Sequence, residues 1–348
     1  MMTHPRARGH TAAVPSIPGV PETILVAPDS FKGTMTAVEV ADAIGDGLRA
    51  AGRPVDLCPV ADGGEGTLQA LLAAFGGELE AVAVSDPLGR EIEASFARVT
   101  GARDRTVAVI EMAAASGLAL VSESERDAFA ASTFGTGQLI AAAVQRGADV
   151  VYVGVGGSAT TDGGAGAIKA IRQAGGLGDA KLVVLCDVRT VFEDAARIFG
   201  PQKGAGKDDV RRLTKRLNDM AGRLGRDPRG VPMTGAAGGL SGGLWAAFGA
   251  ELAPGASFIL DAVGFDSRMR AARAVVTGEG KLDEQSLAGK LVSEIATRAR
   301  QSGVPCYAIV GTRELDSFGA RVLDLQVVLE AGTPAQLRAA GKRLANVI

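Results

Sequence analysis

The chain has 348 residues, a formal net charge of −2 and only 4% aromatic residues, among them one Trp and two Tyr. That length is enough for two separate cores, and near-neutrality with so few rings argues against a basic, base-stacking surface for nucleic acid. Glycine is the outlier: its 48 residues are about twice the usual share.

Residues 1–21 carry Arg and Pro but no apolar run. They read as a disordered leader, neither signal peptide nor membrane span, on a cytoplasmic chain. His4 and His10 are the only histidines and both fall in it. A Ser–His–Asp triad, a Cys–His pair and a His-ligated zinc are therefore disfavoured, and any proton acceptor must be a carboxylate or a lysine. Cys58, Cys186 and Cys306 are far apart in apolar settings, which predicts buried free thiols in a reducing compartment and gives no metal-ligand spacing.

Residues 24–27 read as the first strand. Thr36 and Glu39 form a predicted capping box, after which Val38, Ala41, Ile44 and Leu48 recur at helical spacing. A second strand over 55–60 leads to a helix with Leu68, Leu71, Leu72 and Phe75 on one face, closed by Gly76 and Gly77. The period then changes. Residues 79–84 and 91–98 alternate apolar and polar about Ser-Asp-Pro-Leu-Gly, which predicts a hairpin, with a third strand over 106–110. A helix over 133–146 precedes the apolar run at Val150, and a strand over 181–185 and a charged helix over 208–224 follow. Strands over 274–276, 304–310 and 325–329, with helices between them, return to β-loop-α grammar. The expected fold class is α/β in two domains. A discontinuous flavodoxin-like parallel-sheet domain takes residues 22–78 and 262–348, and a second, mixed-sheet α/β domain of residues 79–261 is inserted into it.

Four Gly-rich turns follow strands: APDSFKGT (27–34), PVADGGEGT (59–67), VGGSATTDGGAG (155–166) and VTGEGKLDEQS (276–286). Glycines let a backbone approach a ligand closely, and free amides at a helix start attract anions. The pattern Asp-Gly-Gly-x-Gly occurs at 62–66 and again at 162–166. Lys32, Lys203 and Lys281 are candidates for phosphate or carboxylate contact. Asp29, Asp62, Glu65, Asp162, Asp187, Glu279 and Asp283 are candidates for metal binding or base work. A lone Asp before glycines is most often a turn or cap residue, but several at strand ends fit the place where open α/β sheets gather ligands. Phosphoryl transfer needs this inventory: cations and amides on phosphates, oxygen ligands for a metal, and a carboxylate near the attacking hydroxyl. There is no Walker A loop, since Gly204 to Lys207 lacks its spacing and its Ser or Thr. Gly154 to Ala159 matches the relaxed G-x-G-x-x-[GA] fingerprint of a nicotinamide-dependent oxidoreductase, but the acidic partner expected further on is misplaced.

Together with IEMAAASGL (110–118), TFGTGQLI (133–140), FGPQKGAG (199–206) and GAAGGLSGGL (235–244), these motifs occur in an order that resembles the type-1 glycerate kinase family from residue 24 to about 310. The resemblance implies ATP-dependent phosphorylation of D-glycerate with Mg²⁺, usually giving 2-phosphoglycerate, in a cleft between two α/β domains. It implies small-molecule partners only, with no nucleic acid or membrane. On it, Gly156, Gly157, Ser158, Thr160, Asp162, Gly163 and Gly164, with Gly278, Glu279 and Lys281, are expected to hold the nucleotide. Asp29, Ser30, Lys32, Gly63, Gly64, Glu65 and Lys203 are expected to face the acid. Asp62, Asp162, Glu279 and Asp283 are the expected metal ligands, and Asp187, then Asp62, the expected proton acceptor, with Lys32 in the catalytic set. The chain departs from the family pattern in a shorter stretch over 166–181, in RTVFEDAARI (189–198) after Asp187, and in Thr161 where Asn is typical. Those departures motivate an alternative: a catalytically impaired nucleotide- or metabolite-binding protein on the same scaffold.

Overall fold

The structure, a computed structural model, describes residues 22–100, 105–288 and 290–348; the leader expected over 1–21, with its two histidines, lies outside them. Two sheets organise the chain. The first contains β1 (Ile24–Pro28), β2 (Val55–Leu57), β9 (Ala274–Gly278), β11 (Cys306–Val310) and β13 (Leu325–Glu330), in the order β13-β11-β9-β1-β2. Every pairing in it is parallel. The chain leaves β1 toward β2 on one side and later returns to β9 on the other, so the strand order reverses at β1.

The second sheet contains β3 (Glu78–Ser85), β4 (Glu91–Thr100), β5 (Thr106–Glu111), β6 (Val150–Gly154), β7 (Lys181–Leu185) and β8 (Glu251–Ala253), side by side in chain order. β3, β4 and β5 are antiparallel and β5 to β8 parallel. The hairpin is held at its turn by Asp86, which accepts from the amides of Leu88 and Arg90 and pairs with the Arg90 side chain. A short ladder joins β10 (Lys281–Leu282) to β12 (Thr312–Arg313). The fold is thus α/β, with a flavodoxin-like parallel sheet and a separate mixed sheet.

The capping box forms as expected: Thr36 Oγ1 accepts from the Glu39 amide, and the Glu39 carboxylate from the Thr36 amide. That helix, Ala37–Ala50, buries Val40, Ala41, Ile44 and Leu48. Val38 is 44% exposed and faces outward, because Val40 takes the core face in its place. The Thr67–Phe75 helix packs on β4 and β5, so the passage between the sheets falls at residues 58–66 and not after residue 78. Cys58, Cys186 and Cys306 are buried and unbridged.

The family departures are accommodated locally. After the Ala165–Gln173 helix, Gly175, Gly176 and Gly178 take positive φ (102°, 90° and 56°), and the chain turns straight into β7. Residues 189–198 form a turn and the Ala195–Phe199 helix. Phe192 is fully buried there, in a small core with Ala195, Ala196, Leu213 and Leu217.

Candidate active site

The site is built where the carboxyl ends of both sheets meet. β1 runs into Asp29, whose amide still donates to the Gly278 carbonyl (2.8 Å) and whose Oδ1 accepts from the Ser30 amide (2.7 Å). The turn that follows is closed by paired bonds between Phe31 and Met35, which puts Lys32 at its tip, its Nζ 3.3 Å from Asp62 Oδ2. Asp62 follows β2 and accepts from the Gly64 amide on its other oxygen (3.0 Å). Glu279 follows β9 and accepts from Ser286 Oγ at 2.6 Å. Lys281 pairs with Glu314 (2.9 Å) and Asp283 (3.7 Å). Asp29, Ser30, Lys32, Asp62, Glu279, Lys281 and Asp283, with Lys290, Leu291, Gly311, Thr312 and Gly332, line one cleft of about 430 Å³.

Asp187, at the end of β7, approaches from the mixed sheet. Its carboxylate accepts from the Ala256 amide at 3.0 and 3.2 Å, at the start of the Gly255–Ala262 helix. Close packing of glycines makes the approach possible. A Cβ on Gly156 would lie 2.5 Å from the Gly64 Cα, one on Gly255 2.4 Å from the Asp62 carbonyl, and one on Gly63 3.0 Å from the Leu185 carbonyl. The Asp62 turn is therefore the joint between the sheets.

Crowding of carboxylates in a partly dry site raises their proton affinity. Burial, then the field of Asp62, pushes the Asp187 carboxyl up to about 7. Burial likewise raises Glu279 to about 7, and burial followed by the Asp62 field holds Asp29 well above the usual carboxylate range. Asp62 in turn raises Lys32. Ser30 Oγ is buried on the cleft wall without a hydrogen-bond partner.

Of the residues singled out from sequence, Asp29, Ser30, Lys32, Asp62, Glu279, Lys281 and Asp283 share this cleft. Gly63 and Gly64 pack against Leu185, Gly255 and Gly156, and Glu65 is exposed and does not line the cleft. Several expectations for the Gly-rich loop after β6 need correction. Asp162 is 2% exposed, and both its oxygens are taken. It accepts from the Thr133 amide and hydroxyl, the Gly164 amide and the Gly166 amide, all within 3.1 Å. It caps its own helix and has no open face for a metal. The Gly163 amide is spent on the Gly238 carbonyl and the Gly164 amide on Asp162, so neither can cradle a phosphate. Thr160 is fully buried. Lys203 is 1% exposed beneath the loop, its Nζ donating to Ser158 Oγ (2.8 Å) and the Thr160 carbonyl (2.5 Å). Burial pushes this ammonium down to about 7; it braces the loop from behind and does not line the cleft. Gly278 is a packing glycine, since a Cβ there would lie 2.2 Å from the Ile309 carbonyl. Of this loop only Gly156 packs against the Asp62 turn; Gly157 lies against Ala113, and Ser158 pairs with Gly117 and accepts from Lys203. The dinucleotide fingerprint fails for a related reason: the helix opens at Ala165 and not at the fingerprint glycines.

Two participants had no assigned role in the sequence reading. Lys290 lines the cleft beside Glu279. Glu111, at the end of β5, accepts from the Leu68 amide at 2.9 Å and so caps a helix it does not belong to. It lies inside IEMAAASGL, but nothing local to that motif reveals its partner.

Two α/β sheets closing on one cleft of lysines and carboxylates, with no Walker A loop, describe a small-molecule phosphotransferase. The profile of the Glycerate kinase family matches residues 24–175 and 172–340. The chain is 40% identical to a glycerate kinase of Halalkalibacterium halodurans over 83% of this chain and 85% of that one. It is 37% identical to a glycerate 2-kinase of Escherichia coli over 83% and 85%. Among solved structures, a protein from Salmonella typhimurium LT2 assigned as glycerate kinase 2 superposes with a TM-score of 0.78 and 32% identity, covering 94% of this chain and 98% of that one. This chain belongs to the glycerate kinase family, and it is a kinase.

Proposed function

We propose that the protein transfers the γ-phosphoryl group of ATP to a hydroxyl of D-glycerate in the cytoplasm, giving 2-phosphoglycerate and ADP. One observation carries the reading: Asp62, joined to Lys32 on one side and close enough to Asp187 to raise it on the other, stands where the two sheets converge. In the step, a glycerate hydroxyl oxygen forms a bond to the γ-phosphorus while the bond from that phosphorus to the β,γ-bridging oxygen breaks. The hydroxyl proton passes to Asp187, whose carboxyl, up to about 7, is suited to taking and returning it near neutrality. Lys32 and Lys290 compensate the charge of the transferring group.

Among the described residues, no group of three or more His, Cys, Asp or Glu side chains is arranged to hold a metal. The donor chemistry nevertheless fits Mg²⁺, which binds through one or two carboxylates together with substrate phosphates; Asp62 and Glu279 are the residues that would hold it. Bound there with the triphosphate, Mg²⁺ would supply charge neutralisation to the phosphates.

The departures give the alternative of an impaired binding protein no foothold in the cleft, since neither residues 166–181 nor residues 189–198 line it, and Thr161 is buried outside it. Among the described residues no helix is long and apolar enough to cross a membrane. The test is an ADP-release assay coupled to a reporter, with D-glycerate varied. Glycerate-dependent ADP is the expected result, and phosphorus NMR of the product distinguishes 2- from 3-phosphoglycerate. ATP binding with no glycerate-stimulated ADP would overturn the reading.

A further inference from the structure

The cleft is longer than the acid needs. Its lining includes residues that follow every strand of the parallel sheet: Asp62 after β2, Asp29 after β1, Glu279 after β9, Thr312 after β11 and Gly332 after β13. Four spacings between neighbouring strands amount to about 19 Å, whereas a three-carbon acid spans roughly 5 Å. A volume of about 430 Å³ likewise falls in the range of pockets that hold ligands much larger than glycerate.

The cleft is also polar in one direction. At the β1–β2 end lie Lys32, Asp29 and Asp62, and here the mixed sheet approaches, through Asp187 and the Gly156 turn. Lys290 lies near Glu279 in the middle, and Lys281 pairs in register with Thr312. Beyond Lys281, whose ammonium is held by Glu314, the β11–β13 end is lined by Gly311, Thr312 and Gly332, which bring no ionisable side chain of their own. Strand order reverses at β1, which is where open α/β sheets place the charged part of a nucleotide. On the mixed-sheet side, by contrast, the amides at the start of the Ala165–Gln173 helix are already capped by Asp162.

We infer that the nucleotide lies lengthwise along the carboxyl edge of the parallel sheet, nucleoside over Thr312 and Gly332, triphosphate running past Lys290 and Lys281 to Lys32. The acid then enters from the mixed-sheet side, between Asp187 and the Gly156–Ser158 turn. This orientation rests on the kinase reading, and it reverses the expectation that the Gly-rich loop after β6 holds the phosphates.

Thr312→Trp and Gly332→Leu test it. Thr312 is exposed. At Gly332 φ is not in the left-handed region, and an added Cβ would meet only Gln336 Oε1, at 3.9 Å, so both variants keep the fold; melting temperature checks that they do. The readouts are equilibrium binding of the non-hydrolysable analogue AMP-PNP with Mg²⁺ and no acid, and the KM for each substrate. Expected are a loss of AMP-PNP affinity of about tenfold or more, equivalent to about 1.4 kcal/mol, and an unchanged KM for D-glycerate. Unchanged AMP-PNP affinity in both variants, or a raised glycerate KM in its place, overturns the orientation while leaving the kinase reading intact. A wild-type chain that binds AMP-PNP but turns over no glycerate removes the reaction, and its binding data still decide the orientation. No AMP-PNP binding by the wild type overturns both.

Discussion

Asp187→Asn separates the electrostatics of the site from its chemistry in one variant. Raising the Asp187 carboxyl from its ordinary 3.8 to about 7 corresponds to about 4 kcal/mol of cost on the ionised form. The folded chain keeps that proton up to about pH 7, while the unfolded chain releases it near 3.8. Between those values the folded state binds more protons, so the contribution of this group to stability falls as pH rises through the window. Asparagine is neutral at every pH and keeps an oxygen to accept from the Ala256 amide. At pH 8, without ligand or metal, the variant is expected to melt above the wild type by on the order of 5–8 °C, at roughly 2 °C per kcal/mol for a chain of this size. At pH 4 the gap should close, since both folded forms are then neutral at this position. Turnover should fall by about 10²–10⁴-fold, the usual worth of a positioned base. Differential scanning fluorimetry at the two pH values and an ADP-release assay provide the measurements. Wild-type turnover with an intact fold would remove Asp187 as proton acceptor, and a lower melting temperature than wild type at pH 8 would refute the burial argument.

Asp162→Asn should lower the melting temperature by the equivalent of about 2–4 kcal/mol, because an amide nitrogen is set against the N–H and O–H donors at Oδ2. Its Mg²⁺ requirement in turnover should match the wild type; an unchanged melt with a raised Mg²⁺ requirement would restore it as a metal ligand. Gly156→Ala drives a methyl to within 2.5 Å of the Gly64 Cα, so the two turns must part at a cost of about 1–3 kcal/mol. A fall in kcat/KM with Asp62 moved away from Asp187 is expected, and unaltered kinetics would show that the joint tolerates opening. Glu111→Ala leaves the start of the Thr67–Phe75 helix uncapped, which should cost about 1–2 kcal/mol, read as a shift in urea midpoint at unchanged slope.

Elements whose cause is local were legible in the sequence. The hairpin was, because alternation and the Asp86 turn both lie within its own residues. The capping box at Thr36 was, for the same reason. The strand-end carboxylates Asp29, Asp62 and Glu279 could be placed at one edge because β-loop-α grammar alone puts strand ends together. What escaped depended on partners far along the chain. Nothing near Lys203 announces that its ammonium reaches Ser158, 45 residues away. Nothing near Gly278 tells that the Ile309 carbonyl leaves no room for a side chain, so it read as a ligand glycine when its constraint is the neighbouring strand. The Thr67–Phe75 helix was assigned to the parallel sheet because it follows β2, although its apolar face rests on β4 and β5.

The two Asp-Gly-Gly-x-Gly turns show how the same five residues come to different uses. In both, the aspartate accepts from the amide two residues on, at 3.0 Å, and in both the first glycine has positive φ, 88° at Gly63 and 66° at Gly163. They diverge at the next step. After Asp162 the helix begins at Ala165, so that aspartate is near enough to cap it and is consumed in doing so. After Asp62 the helix begins two positions later, at Thr67, and its first amides turn to Glu111. A carboxylate borrowed from β5 thus does for the first helix what Asp162 does for the second. Asp62 keeps one oxygen free of backbone bonds, and that oxygen reaches Lys32 in the cleft. The reactive role of Asp62 therefore depends on a capping residue from another strand, a dependence that no pattern within the motif encodes.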